Sequence, residues 1–445
     1  MLNKVQESSQ SILWFTYRTN FPAIGGDGPT TDQGWGCMLR CGQMMLAHAL
    51  KVVHLGRSWQ WTHGIKDPDY RRLLRMFQDK RSSLFSLQQI AMMGKNEGKK
   101  LCEWFGPNTV AQCLKKLVIY DGWSQLAVHV AMDNLLIASD VKLLAGTSWS
   151  DVSEPNDEKR PKIDEIEQDK TWRPVLIIIP LRLGLSAINR EYLKPVQEFF
   201  KLPQCCGILG GRPNHAVFFT GFSAEELYYL DPHTAQPTVD LDKNQVTTPP
   251  VKLDAPKTEE INSPEKEDTV LVEENGQESN DINGKASDIA WPSDELETSQ
   301  INAKVDENQK EDDKQELFDE MQESTNQLQQ SDSKSSIDED NFSDDTFHCQ
   351  DLLHMHFDSL DPSLALGFIC KCEDDFDDLV EKLKEKVLTA SKPALFELID
   401  VRPKNWPAYV PYTRVVSTSG DATDKDYEDF ADPQFDSGDE FEILQ

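Results

Sequence analysis

Positive charge is scarce in this 445-residue chain: 45 Lys and Arg stand against 77 Asp and Glu, a formal net charge of −32. Phosphate contacts need a basic face, and an anionic leaflet attracts basic segments, so nucleic acid and direct membrane binding are disfavoured. Long apolar runs are also missing. A spanning helix takes about 20 consecutive apolar residues, whereas the longest stretch here, Val175–Leu185, is broken by Pro180, Arg182 and Gly184. The nine cysteines, at 37, 41, 102, 113, 205, 206, 349, 370 and 372, are scattered and odd in number. With no apolar secretory stretch at the start, this pattern leads us to expect free thiols in a reducing, cytoplasmic setting. There is no Walker loop, no G-x-G-x-x-G after a strand and no H-E-x-x-H, and no cofactor is expected.

The negative charge is unevenly spread. Residues 1–240 hold 27 basic and 25 acidic side chains, residues 241–345 hold 9 and 30, and residues 346–445 hold 9 and 22. The middle segment has no Cys, and its aromatics are Trp291, Phe318 and Phe342 alone. Such a composition buries too little apolar surface to offset its ordering entropy. We therefore expect an α+β domain built from 1–240 and 346–415, interrupted by a disordered acidic insertion (241–345) and followed by a disordered acidic tail (416–445).

Within the domain, apolar spacing predicts helices over 37–50, 68–79, 86–93, 107–118 and 190–200, and an amphipathic helix over 373–388. Strands are expected at 174–179, 216–221, 226–230, 364–370 and 393–401. The insertion would then join the strand ending at Leu230 to the one starting at Leu364.

Cys37 is the most informative residue. It follows Gly34-Trp35-Gly36 and opens a helix, where the dipole favours a thiolate, the attacking form of sulfur. A buried structural cysteine is the plainer alternative. A cysteine nucleophile needs a base and a group to orient it. Asp231-Pro232-His233, at a strand end, offers both, although Asp-Pro also initiates turns. His215, at the start of the next-to-last strand of that part, offers a competing base with Asp231 as its orienter; spacing does not choose between them. His348, Cys349, His354, His356, Cys370 and Cys372 suggest a metal set, but H-x-H and C-x-C are not zinc spacings, and Cys370 and Cys372 fall on one face of a predicted strand; no metal is expected. Phe441-Glu442-Ile443-Leu444, behind Asp439-Glu440, has the form of a docking segment that adds a strand to a partner and fills two pockets with Phe441 and Leu444. Phosphorylation of Ser437 would add to its charge.

Several blocks carry a family resemblance: Leu13-Trp14-Phe15-Thr16-Tyr17-Arg18, Phe21-Pro22-Ala23-Ile24-Gly25-Gly26, Gly34-Trp35-Gly36-Cys37-Met38-Leu39-Arg40-Cys41-Gly42-Gln43, Gly106-Pro107-Asn108-Thr109-Val110-Ala111, Ile179-Pro180-Leu181-Arg182-Leu183-Gly184, Tyr229-Leu230-Asp231-Pro232-His233-Thr234 and Phe347-His348-Cys349-Gln350. Together they resemble the autophagins, the cysteine proteases also called autophagy-related protein 4, over nearly all of 11–240 and 346–400. The resemblance implies a papain-like fold with a small extra α/β subdomain. It also implies hydrolysis after the C-terminal glycine of GABARAP-type ubiquitin-like modifiers, both in the precursor and in the conjugate with phosphatidylethanolamine. The expected enzyme is a monomer that meets a membrane surface only through lipidated substrate.

By the same resemblance Cys37 is the nucleophile, His233 the general base and acid, and Asp231 the orienter, with Tyr17 beside the oxyanion. Trp123 resembles the tryptophan that covers the free site, and Arg212, Pro213 and Asn214 fall in a gating loop. His215 is outside the family's triad, and the 241–345 insertion is larger than the family leads one to expect. Cys41, one helical turn from Cys37, is a candidate redox partner: peroxide would oxidise Cys37 to a sulfenic acid that Cys41 or another thiol reduces.

Overall fold

A computed structural model of the chain describes residues 2–146, 172–241, 342 and 344–412, with backbone alone for 2–5. Its helices before the break at 147 are α1 (Leu2–Gln10), α2 (Cys37–His54), α3 (Pro68–Arg75), α4 (Leu87–Asn96), α5 (Pro107–Leu117) and α6 (Ala138–Gly146), and α7 (Leu193–Phe200) follows it. The strands are β1 (Arg18–Thr19), β2 (Ala127–Val130), β3 (Leu135–Ile137), β4 (Val175–Arg182), β5 (Cys205–Gly210), β6 (Val217–Ser223), β7 (Glu226–Leu230), β8 (Gln236–Pro237), β9 (Leu353–His356), β10 (Ser363–Cys370) and β11 (Glu397–Ile399). The architecture is mixed α+β.

Seven strands form the central sheet in the order β2-β4-β10-β5-β6-β7-β9, parallel between β2 and β4 and antiparallel elsewhere. Period-two alternation divides its side chains between two cores. Leu176 and Ile178 of β4 join Ala365 and Ile369 of β10 under α2, α4 and α5. Val175, Ile177 and Ile179 join Leu366, Phe368 and Phe199 on the other face. Because both faces are covered, β4 reads in sequence as a continuous apolar run rather than as an alternation.

Helix starts are specified locally. Asp67 caps α3, its carboxylate accepting from the amides of Asp69 and Tyr70 ahead of Pro68, and the Ser86 hydroxyl caps α4 at Gln89. Helix α2 is almost entirely buried, and two glycines let its neighbours close in. A Cβ on Gly42 would stand 2.3 Å from Val110 Cγ1 of α5, and one on Gly367 of β10 would stand 2.7 Å from Met45 Cε of α2.

The structure departs from the sequence expectations at several points. The helix expected over 68–79 ends at Arg75, and that over 373–388 is α-helical to Lys382 and then widens into a π turn through Val387. The strand expected over 393–401 narrows to Glu397–Ile399. Strands β2, β5 and β9 were not expected. Strand β9 pairs antiparallel with β7, so the chain that returns near residue 344 extends the sheet edge before it reaches β10. Its two histidines, His354 and His356, give this short edge strand the look of a loop. Cys372 is the residue before the helix Glu373–Lys382, not a strand residue; it is exposed while Cys370 is buried, so the two thiols do not share a face.

Candidate active site

The turn that delivers Cys37 is built from glycine and one carboxylate. Gly34 holds φ +87°, in the region that favours glycine. Gly36 follows as the residue that caps α2 without a side chain. Cys37 then occupies the first position of an 18-residue helix, fully buried, beside amides whose dipole favours a negative sulfur.

Asp231-Pro232-His233 proves to be a turn and an orienting pair at once. Asp231 Oδ1 accepts the His233 backbone amide at 2.9 Å and contacts the Nδ1 of the same imidazole. Neighbouring segments fix the tripeptide: the Trp14 indole donates to Asp231 O (2.7 Å), the Tyr17 amide to Pro232 O (2.8 Å), and the Gln236 amide to Tyr17 O (2.9 Å). The Tyr17 and His233 rings meet edge to face at 5.5 Å. Tyr17 Oη and His233 Nε2 are both buried with no hydrogen-bond partner at close range, and both lie near enough to the Cys37 sulfur for it to shift their ionisation.

Electrostatics follow from this arrangement. Burial alone would push the Cys37 thiol up, but hydrogen bonds from His233, the Ala216 amide and Tyr17, with the His233 charge, outweigh it and hold the thiol below its ordinary value. The hydrogen bond to Asp231, aided by Cys37, raises His233 to about 9. Burial first, then the Cys37 charge, keeps the Tyr17 phenol protonated and able to donate. Asp231 is penalised by burial, yet its bonds to His233 bring it down. A thiolate–imidazolium pair, a donor hydroxyl and a backbone amide at a helix start make up a site suited to nucleophilic acyl transfer.

The remaining expected residues lie at various distances from this centre. Arg212, Pro213 and Asn214 are exposed on the β5–β6 hairpin loop, with Asn214 at φ +62°. The loop ends at Ala216, whose amide reaches Cys37, a contact that sequence reasoning missed and that no side chain could have signalled. His215 is exposed on the same loop, and it is His233 that stands between Asp231 and Cys37. Trp123 is a correction. It stacks on His54 at 3.6 Å, with Arg72 on its ring, at the last residue of α2, about 25 Å along the helix from Cys37, so it cannot cover the thiol. Trp104, which the sequence reading did not single out, is half-buried three residues ahead of α5, with its indole N–H buried and without a hydrogen-bond partner. That segment lies at the Cys37 end, since Leu101 approaches Gly28 and Val110 packs on Gly42. The signal was an aromatic just ahead of Gly106-Pro107.

Cys41 is buried, and burial, then the Cys37 and Asp231 charges, holds its thiol well above the ordinary value. The suspected metal set is dispersed: His348 bonds Tyr70 and Gln10, His354 bonds Glu226, and His356 bonds Glu225. Among the described residues no group of three or more His, Cys, Asp or Glu could hold a metal ion, and no helix is long and apolar enough to cross a membrane. Phe441 and Leu444 lie outside the described residues, as does nearly all of 241–345.

Comparison with known proteins agrees with this chemistry. Residues 2–382 match the profile of the peptidase C54 catalytic domain. Cysteine protease ATG4A of Gallus gallus is 36% identical over 441 residues, which cover 97% of this chain and 90% of that protein. The ATG4A proteins of Bos taurus and Homo sapiens are 36% and 35% identical over 456 residues, covering 99% of this chain and 89% of each relative.

Proposed function

Because the chain belongs to the peptidase C54 family of papain-like cysteine proteases, we propose that it hydrolyses the bond after the C-terminal glycine of GABARAP-type ubiquitin-like autophagy modifiers. It acts both on the precursor and on the conjugate with phosphatidylethanolamine. The observation that carries this reading is the single line Asp231–His233–Cys37 at the start of α2.

In the proposed reaction the Cys37 thiolate attacks the glycyl carbonyl carbon. The Cys37 amide and the Tyr17 hydroxyl hold the oxyanion. His233 gives its proton to the departing amine, the C–N bond breaks, and a thioester remains. Water, deprotonated by His233, then attacks the thioester carbon; the C–S bond breaks, the glycine leaves as its carboxylate with one proton passing to solvent, and the thiolate–imidazolium pair is restored. The leaving amine is a peptide amine in the precursor and a lipid amine in the conjugate, so both reactions use the same groups.

Cys37 is fully buried, so a substrate must displace a cover. The 212–214 loop, tethered through Ala216, and Trp104 are the candidates for that movement. A tail ending in glycine suits the narrow entry because it brings no side chain. Phe441 and Leu444 are proposed to dock on the modifier, steered by the acidic residues around them.

Incubation of a purified modifier precursor with the full-length chain tests the reading. Wild type should cleave it, Cys37→Ala and His233→Ala should lose more than about 10³-fold, and His215→Ala should stay within a few-fold of wild type. Loss of activity in His215→Ala with retention in His233→Ala would reverse the assignment of the base. Binding without cleavage by the wild type would make the chain an adaptor for such modifiers instead.

A further inference from the structure

Sequence reasoning passed over Asp32, five residues before Cys37. It is fully buried, as is Arg40, which lies one turn into α2. Its carboxylate receives Arg40 twice, Nε on Oδ2 at 2.8 Å and Nη2 on Oδ1 at 3.0 Å. Arg40 also bonds Asp79 (2.7 Å) and Gln43 (3.1 Å). An ion pair of this kind is common structural furniture, and alone it says nothing about catalysis.

Asp32 does more than pair with Arg40. Oδ1 also accepts the backbone amide of Arg18 at 2.7 Å, the residue directly after Tyr17. The main-chain carbonyl of Asp32 accepts the amides of Trp35 (3.2 Å) and Gly36 (2.9 Å), the residues directly before Cys37. The carboxylate fills the space where a Gly36 side chain would stand, since a Cβ there would fall 2.4 Å from Oδ2. One buried residue thus ties the segment that presents the Tyr17 hydroxyl, just ahead of β1, to the turn that presents the Cys37 amide. Those are the two donors assigned to the oxyanion.

We propose that Asp32 is a positioning residue for the oxyanion side of this site: it sets the separation of the Tyr17 hydroxyl and the Cys37 amide while leaving the thiolate to His233. The proposal rests on the assignment of Cys37 as nucleophile. It separates two functions that a generally loosened fold would lose together. Thiolate formation depends first on His233, then on the Ala216 amide, with Tyr17 a lesser contributor. Stabilisation of the tetrahedral intermediate depends on the spacing that Asp32 fixes. Asp32 is also among the charges that keep the Tyr17 phenol protonated, after burial and Cys37.

The test uses the full-length chain, a modifier precursor and iodoacetamide, which reports on the thiolate without forming an oxyanion. Asp32→Asn should lower kcat by about 10- to 100-fold, consistent with partial loss of an oxyanion donor, with KM within twofold of wild type. The pH dependence of Cys37 alkylation should move far less than kcat falls, because His233 and the Ala216 amide outrank Tyr17 in holding the thiol down. Tyr17→Phe should cost less in the Asp32→Asn background than in wild type, because the two act as one unit. Gly36→Ala provides a second variant if Asp32→Asn does not fold: its backbone suits alanine, and the new methyl, 2.4 Å from Asp32 Oδ2 and 2.6 Å from its Cβ, displaces the whole Asp32 side chain, so the same fall in kcat is expected. An unchanged kcat overturns the proposal, as does a parallel fall of alkylation and hydrolysis or a fully multiplicative Tyr17→Phe penalty. If Cys37→Ala still hydrolyses the precursor, the assignment of the nucleophile fails first, and that outcome is read separately.

Discussion

The site's chemistry depends on one carboxylate, Asp231, that serves both a backbone amide and an imidazole. The raised His233, at about 9, defines an alkaline limit. The ion pair needs ionised Cys37 and protonated His233, so the rate should hold through neutral pH and fall as pH rises through about 9. Asp231→Asn removes the charge that raises the imidazole, and the alkaline limb should move down toward an ordinary histidine value of about 6.5. A pH–rate profile of the variant checks this, and an unmoved limb would assign the raised histidine to Cys37 alone. Residue identity made Cys37 and Asp231-Pro232-His233 legible in the sequence, because the proposed nucleophile, base and orienter are side chains of definite type. Tyr17 was legible only through the family resemblance, and the Ala216 amide not at all, since every residue but proline carries one.

At the scale of elements, α2 ties the site to the core. Its first residue is the thiol, its Gly42 admits α5, and its Met45 rests on Gly367 of the central strand β10. Gly42→Ala should therefore destabilise the fold by about 1–3 kcal/mol through overpacking against Val110. Adding Val110→Ala should recover part of that loss, as denaturant unfolding of the single and double variants would read. Long apolar or strongly amphipathic stretches such as α2, α5 and β4 were visible as elements because period and burial coincide. Strands β2 and β9 were not. Each is four residues long, each carries histidine, and each exists because a neighbouring strand offers its edge, a condition that no local pattern records. Trp123 was misplaced for a related reason, since its neighbour along the chain, Asp121, says nothing about which end of α2 the segment reaches.

For the molecule as a whole, buried histidines set its response to acid. His129, on β2 beside Tyr409, is held down to about 3 by burial and then by the Lys115 and Arg402 charges, and burial holds His348 at about 4. Both are neutral in the fold and protonate near 6.5 when unfolded, so between those values the unfolded chain binds more protons. Stability is then lost as pH falls below about 6.5. His129 alone should contribute about 2 kcal/mol of loss between pH 7 and pH 5. His129→Gln should flatten that slope in denaturant titrations at the two pH values. The acidic excess of the sequence supports a separate expectation: replacing Asp436, Asp439, Glu440 and Glu442 by their amides should slow association with the modifier at low salt more than at high salt. Equal effects at both would leave the tail without a steering role.

The sequence by itself determined the reaction class and pointed to the proposed actors. A cysteine after two glycines at a helix start, with Asp-Pro-His at a strand end, restricts the chemistry through residue type and local geometry. It also determined where the charge lies, because composition is additive along the chain. Only the tertiary structure showed His233 beside Cys37 where spacing left two histidines open, placed Trp123 at the far end of α2, and joined the Tyr17 segment to the Cys37 turn through Asp32. Those relations bring together residues far apart in sequence, and they are fixed by packing around α2 rather than by any spacing in the chain.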